Sequence, residues 1–304
     1  MKVGARIGFV DKSNGRSSHV GEIPKGGGIG ILLVLVLSSI ILNIPLSLFL
    51  PTLVISFIGF WGGDLHRMGI KGRLTAQFSC ALFFLICHFY INEVHIGIYL
   101  LSIPLSIFIV GTSNFYNFMD GIDGIAGITG IIGFGLLGVF YFQKGGEFHY
   151  LMLCLLIACA CLGFLCFNIP KAKVFLGDVG SILLGFLFAC LVVLLSENFT
   201  DFIVAAGFIA PFYFDELSTM VVRLRDGDSI IVAHRKHLYQ LLANELAIEH
   251  WKISVGYGIV QAAVGLSLIL IRPYGLCFIL PVLFCYTAIF IGLSLFVRKS
   301  LTKI

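Results

Sequence analysis

Charge is scarce in this chain. Asp, Glu, Lys and Arg together make up 12% of its 304 residues, against about a quarter in a soluble globular domain. Hydrophobic residues make up 59% and the mean hydropathy is +1.03. So much apolar surface exceeds what an aqueous fold buries, so lipid must be the main solvent. That excludes a soluble enzyme, a disordered scaffold and a nucleic-acid-binding domain. Metal-type cysteine spacing is also missing. The nine cysteines, an odd number, lie inside apolar runs with no CxxC pair, which excludes a disulfide framework and a zinc site. No short apolar stretch precedes the polar, basic first residues, so no cleavable signal peptide is expected.

Long apolar runs are what the chain does have. A spanning helix needs about 17–25 mostly apolar residues. By that measure about ten spans are expected, at roughly 26–43, 45–62, 74–91, 96–112, 124–142, 150–167, 181–196, 202–220, 253–271 and 276–297. The runs are continuous rather than alternating, which argues for helices over barrel strands. The expected fold is therefore all-α, one polytopic membrane domain over residues 1–304.

The loops divide into two sets. Of the 20 Lys and Arg, all but Lys144 and Arg272 lie in residues 1–25, 63–73, 168–180, 221–252 and 298–304. By the positive-inside rule those segments, and residues 113–123 with them, face the cytoplasm, and so do both termini. Nearly every polar cluster with chemical potential belongs to this set. A transporter more often keeps such groups at mid-membrane. Polar groups gathered at one face suit a site that takes a soluble substrate and a lipid headgroup together.

Five clusters stand out. Asp11 to His19 leads to Lys25, followed by Gly26, Gly27 and Gly28 at a helix mouth. Backbone N–H groups there suit a phosphate, with Lys25 as a point charge; a basic segment touching anionic lipid is the alternative. Gly63-Asp64 is followed by Arg67, Lys71, Arg73 and Gln77, and a solvated Asp among basic neighbours is the plain reading. Asn114, Asn117, Asp120 and Asp123 recur every third residue at a span's end. Residues three apart share a helical face, and amide and carboxylate oxygens suit a hard cation such as Mg²⁺. Asp123 also suits the cap of the next helix. Asn168, Lys171 and Lys173 lead to Gly177-Asp178 and Gly180, where Asp178 suits a cation or a helix cap. Arg223 to Asp228 leads to His234, Arg235, Lys236, His237 and Tyr239, a set suited to a nucleotide diphosphate or to a basic surface helix. Asp215 and Glu216, near the end of the eighth span, are expected to pair with Arg223 or its neighbours. His66, His88, His95, His149 and His250 read as ordinary loop or interface residues.

From Asp11 to Gln240 the five clusters, in order, resemble the polyprenyl-phosphate N-acetylhexosamine-1-phosphate transferases, glycosyltransferase family four. The run from Ala233 to Gln240 is most similar to the WbpL-like, O-antigen-initiating branch. The resemblance implies that undecaprenyl phosphate attacks a UDP-N-acetylhexosamine in the bacterial inner membrane, releasing UMP and starting a lipopolysaccharide, O-antigen or related envelope glycan. It implies Mg²⁺, with Mn²⁺ as a substitute, held by Asn117 and Asp178. It assigns Asp64, Asp120 and Asp123 to catalysis. Lys25, Asn114, Asn168, Lys173, His234, Arg235 and His237 would bind the substrates. Membrane lipid and a second copy of the chain, as a homodimer, are the expected partners.

Two departures from the family pattern matter. Gly63 stands where relatives carry a first Asp of a pair, and about ten residues precede Asp11 where relatives usually place a further span. Both motivate an alternative reading, an impaired homologue that binds the lipid carrier or partner enzymes. A transporter of an anionic solute is a third.

Overall fold

The computed structural model describes residues 10–12, 22–65, 68–228 and 235–301. Helices dominate it, because a backbone in lipid must satisfy its own N–H and C=O groups. A short antiparallel hairpin precedes them, β1 (Val10–Lys12) with β2 (Glu22–Pro24), in the register Val10 opposite Pro24 and Lys12 opposite Glu22. Strands of three residues each are too short to leave an alternating pattern in the sequence.

The helices follow as α1 (Gly27–Ile41), α2 (Leu46–Ile58) running into a π-helical turn (Gly59–Asp64), α3 (Ile70–Ile91) and α4 (Ser102–Met119). Then come α5 (Ile125–Gln143), α6 (Phe148–Asn168), α7 (Asp178–Leu195), α8 (Phe199–Ala206), α9 (Ala210–Arg225), the short α10 (Leu238–Asn244), α11 (His250–Ile271) and α12 (Leu276–Leu301). Among the described residues nine helical segments are long and apolar enough to cross a membrane. The tenth expected span is α1, which has 15 residues. At 1.5 Å per residue it reaches about 22 Å, short of the roughly 30 Å hydrocarbon core. The expected 202–220 span is the longer unit Phe199–Arg225, broken by a 3₁₀ turn at Gly207–Ile209 ahead of Pro211.

Helix α7 is the post around which the bundle is built, with nearly every side chain buried. Its neighbours come close because small residues sit at the crossings. A Cβ on Gly28 would lie 2.4 Å from the Gly180 nitrogen, one on Gly59 2.5 Å from the Asp178 oxygen, and one on Gly185 2.7 Å from the Ser113 Cα. Ser56 and Ser113 donate across these contacts to the Val179 and Ile182 carbonyls. Three helices thus press on the first half of α7, and the start of α7 is fixed where the acidic residues gather. The outer faces of α1, α3 and α12 carry Leu33, Ile40, Tyr90, Phe284 and Phe296 exposed, as lipid contact requires.

At the opposite end, the two Lys and Arg residues outside the basic loops share one partner. Lys144 Nζ and Arg272 Nε reach opposite oxygens of Asp201, Lys144 also reaches Glu197 at 3.1 Å, and both cations stand over the Phe140 ring. Both non-conforming charges are therefore neutralised in place.

Candidate active site

Five of the helix ends and loops at the Lys/Arg-rich end converge on the start of α7. Gly177, the residue before the helix, has φ +74°, a conformation that favours glycine. Asp178 follows as the first helical residue. Its carboxylate is 28% exposed and meets two partners: Arg73 Nη1 donates to Oδ2 at 3.2 Å and Asn117 Nδ2 to Oδ1 at 3.1 Å. Asn117 also donates to Ser181 Oγ at 2.8 Å, one turn along α7. The expected metal pair, Asn117 and Asp178, is thus in direct contact.

Asp64 ends the π-helical turn with a side chain 0% exposed. Its Oδ1 accepts from the Asp178 N–H and its Oδ2 from the Val179 N–H, both at 3.1 Å. One span's carboxylate therefore caps another span's N-terminus, where the helix dipole and two orphan donors favour an anion. Lys25 Nζ lies 3.8 Å from Asp64 Oδ1. Both Asp64 oxygens are thus engaged by the backbone at the start of α7, which ties the position of Asp64 to that of Asp178.

The glycines after Lys25 also have a different task from the one expected. Gly26 and Gly27 donate to the Phe175 carbonyl at 3.1 and 3.0 Å, and Gly28 to the Leu176 carbonyl at 2.9 Å. These N–H groups fasten α1 to the 175–177 segment and do not cradle a phosphate. The reason is the Gly28–Gly180 approach, which brings the two backbones within hydrogen-bonding range.

The i, i+3 run divides in two. Helix α4 ends at Met119, so Asn114 and Asn117 share a helical face while Asp120 and Asp123 lie on the turn beyond it. Asn114 donates to Gln77 Oε1 and to the Val110 carbonyl, each at 2.7 Å. Asp120 is half-buried. Desolvation raises its carboxyl well above the usual carboxylate range, and Asp178, Asp64 and Asp123 push in the same direction. Asp123 is an inward fastener: Oδ2 accepts from the Ala172 N–H at 3.2 Å and lies 3.3 Å from His250 Nδ1. Asn168 fastens the same turn, accepting from Gly124 N at 2.6 Å and donating to the Val174 carbonyl at 2.9 Å. Asp123 and Asn168 therefore link the 120–124 and 169–177 loops, Asp123 through Oδ2 and Asn168 through both ends of its amide. Lys173 is exposed on that second loop.

The last cluster separates as well. His234 lies outside the described residues. Arg235 is half-buried, whereas His237 is buried, its ring between Asp215 (Nδ1 to Oδ1, 3.6 Å) and Glu216 (Nε2 to Oε2, 3.4 Å). His237 faces the bundle, which corrects its expected place on a nucleotide diphosphate. Of the two acids expected to pair with Arg223 or its neighbours, Glu216 feels the Arg223 charge, whereas Asp215 is held by Leu238, Tyr239, Tyr257 and Thr219.

Three residues escaped the sequence reading. His250 looked ordinary, yet it meets Asp123 from 127 positions away. Arg73 reads only as one of the basic neighbours that follow Asp64, yet it meets Asp178 from 105 positions away. Asp215 had no role. Each is defined by a distant partner, and for two of them no local pattern marks that partner; only Asp215 carried a signal, a buried carboxylate inside an apolar run.

The comparisons with known proteins fit this arrangement. The family model described as Glycosyl transferase family 4 matches residues 45–196, which is the stretch from α2 to the end of α7 and contains Asp64, Asn117, Asp120 and Asp178. The chain belongs to this glycosyl transferase family. It is similar to the phospho-N-acetylmuramoyl-pentapeptide-transferase of Staphylococcus saprophyticus, 29% identical over 305 residues, covering 88% of this chain and 92% of that protein. Proteins with the same name from Staphylococcus aureus strains MSSA476 and MW2 are 29% identical over 299 residues, covering 88% of this chain and 90% of theirs.

Proposed function

We propose that this protein transfers an N-acetylated amino-sugar 1-phosphate from a UDP-sugar to undecaprenyl phosphate in the bacterial inner membrane, with its termini in the cytoplasm. One observation carries the reading: Asp178, at a helix N-terminus, is shared between Asn117 and Arg73. A carboxylate beside an amide suits a divalent cation, which commonly takes one or two protein carboxylates plus phosphates and water. The donor set fits Mg²⁺, with Asp178 and Asn117 as the holders and Asp120 close by. When bound, the cation neutralises pyrophosphate oxygens.

The chain's own residues do the rest. Arg73 and Lys25 supply positive charge for the phosphates, and exposed Lys173 and half-buried Arg235 lie on the flanking loops. A lipid phosphate oxygen attacks the sugar-linked phosphorus. The bond from that phosphorus to the bridging oxygen breaks, and UMP leaves with the electron pair. Such a transfer is mostly positioning and charge stabilisation. A phosphate monoester has a second pKa near 6, so the lipid phosphate is largely ionised at neutral pH and needs no dedicated base. That agrees with an Asp64 whose oxygens are engaged by backbone.

We assign the step to the start of O-antigen or related envelope glycan synthesis, on the His234–His237 run. A second reading, a phospho-N-acetylmuramoyl-pentapeptide donor, is favoured by the relatives' name. UMP release by purified protein with undecaprenyl phosphate, Mg²⁺ and a panel of UDP-N-acetylhexosamines, with UDP-N-acetylmuramoyl-pentapeptide included, separates the two. Turnover only with the pentapeptide donor would transfer the assignment to wall-precursor synthesis. Silence with every donor would favour the impaired homologue.

A further inference from the structure

Asp215 repeats the device seen at Asp64. Each is a buried aspartate near the basic-loop end of a span, and each accepts the first N–H groups of a different helix. At Asp215 the pairs are Leu238 N to Oδ1 at 2.8 Å and Tyr239 N to Oδ2 at 3.3 Å, the opening of α10. Tyr257 donates to Oδ2 at 2.7 Å and Thr219 to Oδ1 at 3.2 Å. So many donors on a side chain 0% exposed make a rigid anchor, since a buried carboxylate is tolerated only when its lone pairs are satisfied.

What the anchor holds is Tyr239. Its ring is fully buried and its hydroxyl donates to the Phe118 carbonyl at 2.9 Å, at the last turn of α4. The same hydroxyl fills the space beside Gly121, where a Cβ would lie 2.2 Å from it. Phe118 and Gly121 flank Asp120. A continuous path therefore runs from Asp215 through the backbone and ring of Tyr239 to the turn that carries Asp120.

We propose that Asp215 is a positioning residue, acting through Tyr239 to fix the 118–121 turn and hence Asp120 against Asp178. Its kinetic consequence rests on the transferase reading above; its structural consequence does not. Asp215→Asn keeps the shape but replaces one acceptor oxygen by a donor. Tyr239→Phe keeps the ring and removes the hydroxyl that donates to Phe118.

The test measures both variants in purified, detergent-solubilised full-length protein by amide hydrogen exchange and by UMP release. Exchange over residues 118–124 should quicken by about tenfold or more in each variant. The kcat per folded molecule should fall by about tenfold or more while KM for the UDP-sugar stays within about threefold. A merely structural role would lower the yield of folded protein and leave kcat per folded molecule unchanged. Unaltered exchange over 118–124 in both variants overturns the inference. So does faster exchange in Asp215→Asn alone, because the path would not then run through Tyr239. Should Asp215→Asn fail to fold, Tyr257→Phe, which removes a donor from Asp215 and leaves Tyr239 intact, takes its place beside Tyr239→Phe, and unaltered exchange over 118–124 in either overturns the inference. Should the wild type be silent with every donor, the transferase reading fails while the exchange experiment still decides this one.

Discussion

Gly63 and Asp178 occupy one space. A Cβ built on Gly63 would lie 2.0 Å from Asp178 Oδ2 and 2.6 Å from its Cβ. The carboxylate that meets Asn117 and Arg73 thus lies where a side chain at position 63 would have to be. Glycine at position 63 is a requirement of this arrangement. Gly63→Ala should displace Asp178 and lower UMP release by about a hundredfold, a loss of roughly 3 kcal/mol in transition-state stabilisation. Gly63→Asp should fare no better. A Gly63→Ala protein as active as wild type would show that Asp178 need not lie there.

Asp64→Asn tests the cap on α7. The amide keeps the volume but offers one acceptor where two N–H groups need one each. Thermal unfolding should show a loss of about 1.5–3 kcal/mol, the worth of a charge-assisted hydrogen bond in a buried place. An unchanged Tm would mean that the N-terminus of α7 is held by its packing on Gly28 and Gly59 instead.

Arg73→Gln separates stability from chemistry. Arg73 and Asp178 are each more than a quarter exposed, and an ion pair in contact with solvent contributes about 0–1 kcal/mol. The Tm should therefore move little. On the proposed function, KM for the anionic UDP-sugar should rise several-fold, because the cation assigned to its phosphates is gone. An unchanged KM would remove Arg73 from the substrate site.

Asp201→Asn should do the opposite. Asp201 is the shared partner of Lys144 and Arg272 at the other end of the bundle, and Lys144 is only 3% exposed. Removing one partner of a buried pair costs about 3–5 kcal/mol. The protein should unfold at lower temperature, yet each folded molecule should retain its kcat. A kcat loss without a change in unfolding would tie this end of the bundle to the reaction.

Much of this molecule was legible in the sequence, for physical reasons. The apolar runs had to be helices because lipid offers no hydrogen bonds, and the Lys/Arg bias separated the two ends. Asn117 and Asp178 were each visible as polar groups next to hydrocarbon. What stayed hidden was direction. Asp123, Asn168 and His237 looked like ligand-facing groups and instead point inward at Ala172, Gly124 and Glu216. A one-dimensional pattern carries no information on whether a polar side chain faces a ligand or a distant backbone. The same limit explains the three glycines after Lys25, whose N–H groups find the Phe175 and Leu176 carbonyls about 150 positions away.

The account depends most on Asp178 as the group around which transfer takes place. UMP release should be compared between wild type and Asp178→Asn, as purified proteins of matched unfolding temperature, with undecaprenyl phosphate, Mg²⁺ and the best donor from the panel. The account predicts steady turnover in the wild type, Gly63 included, and a loss of about a thousandfold or more in the variant. Equal rates in the two proteins would contradict it.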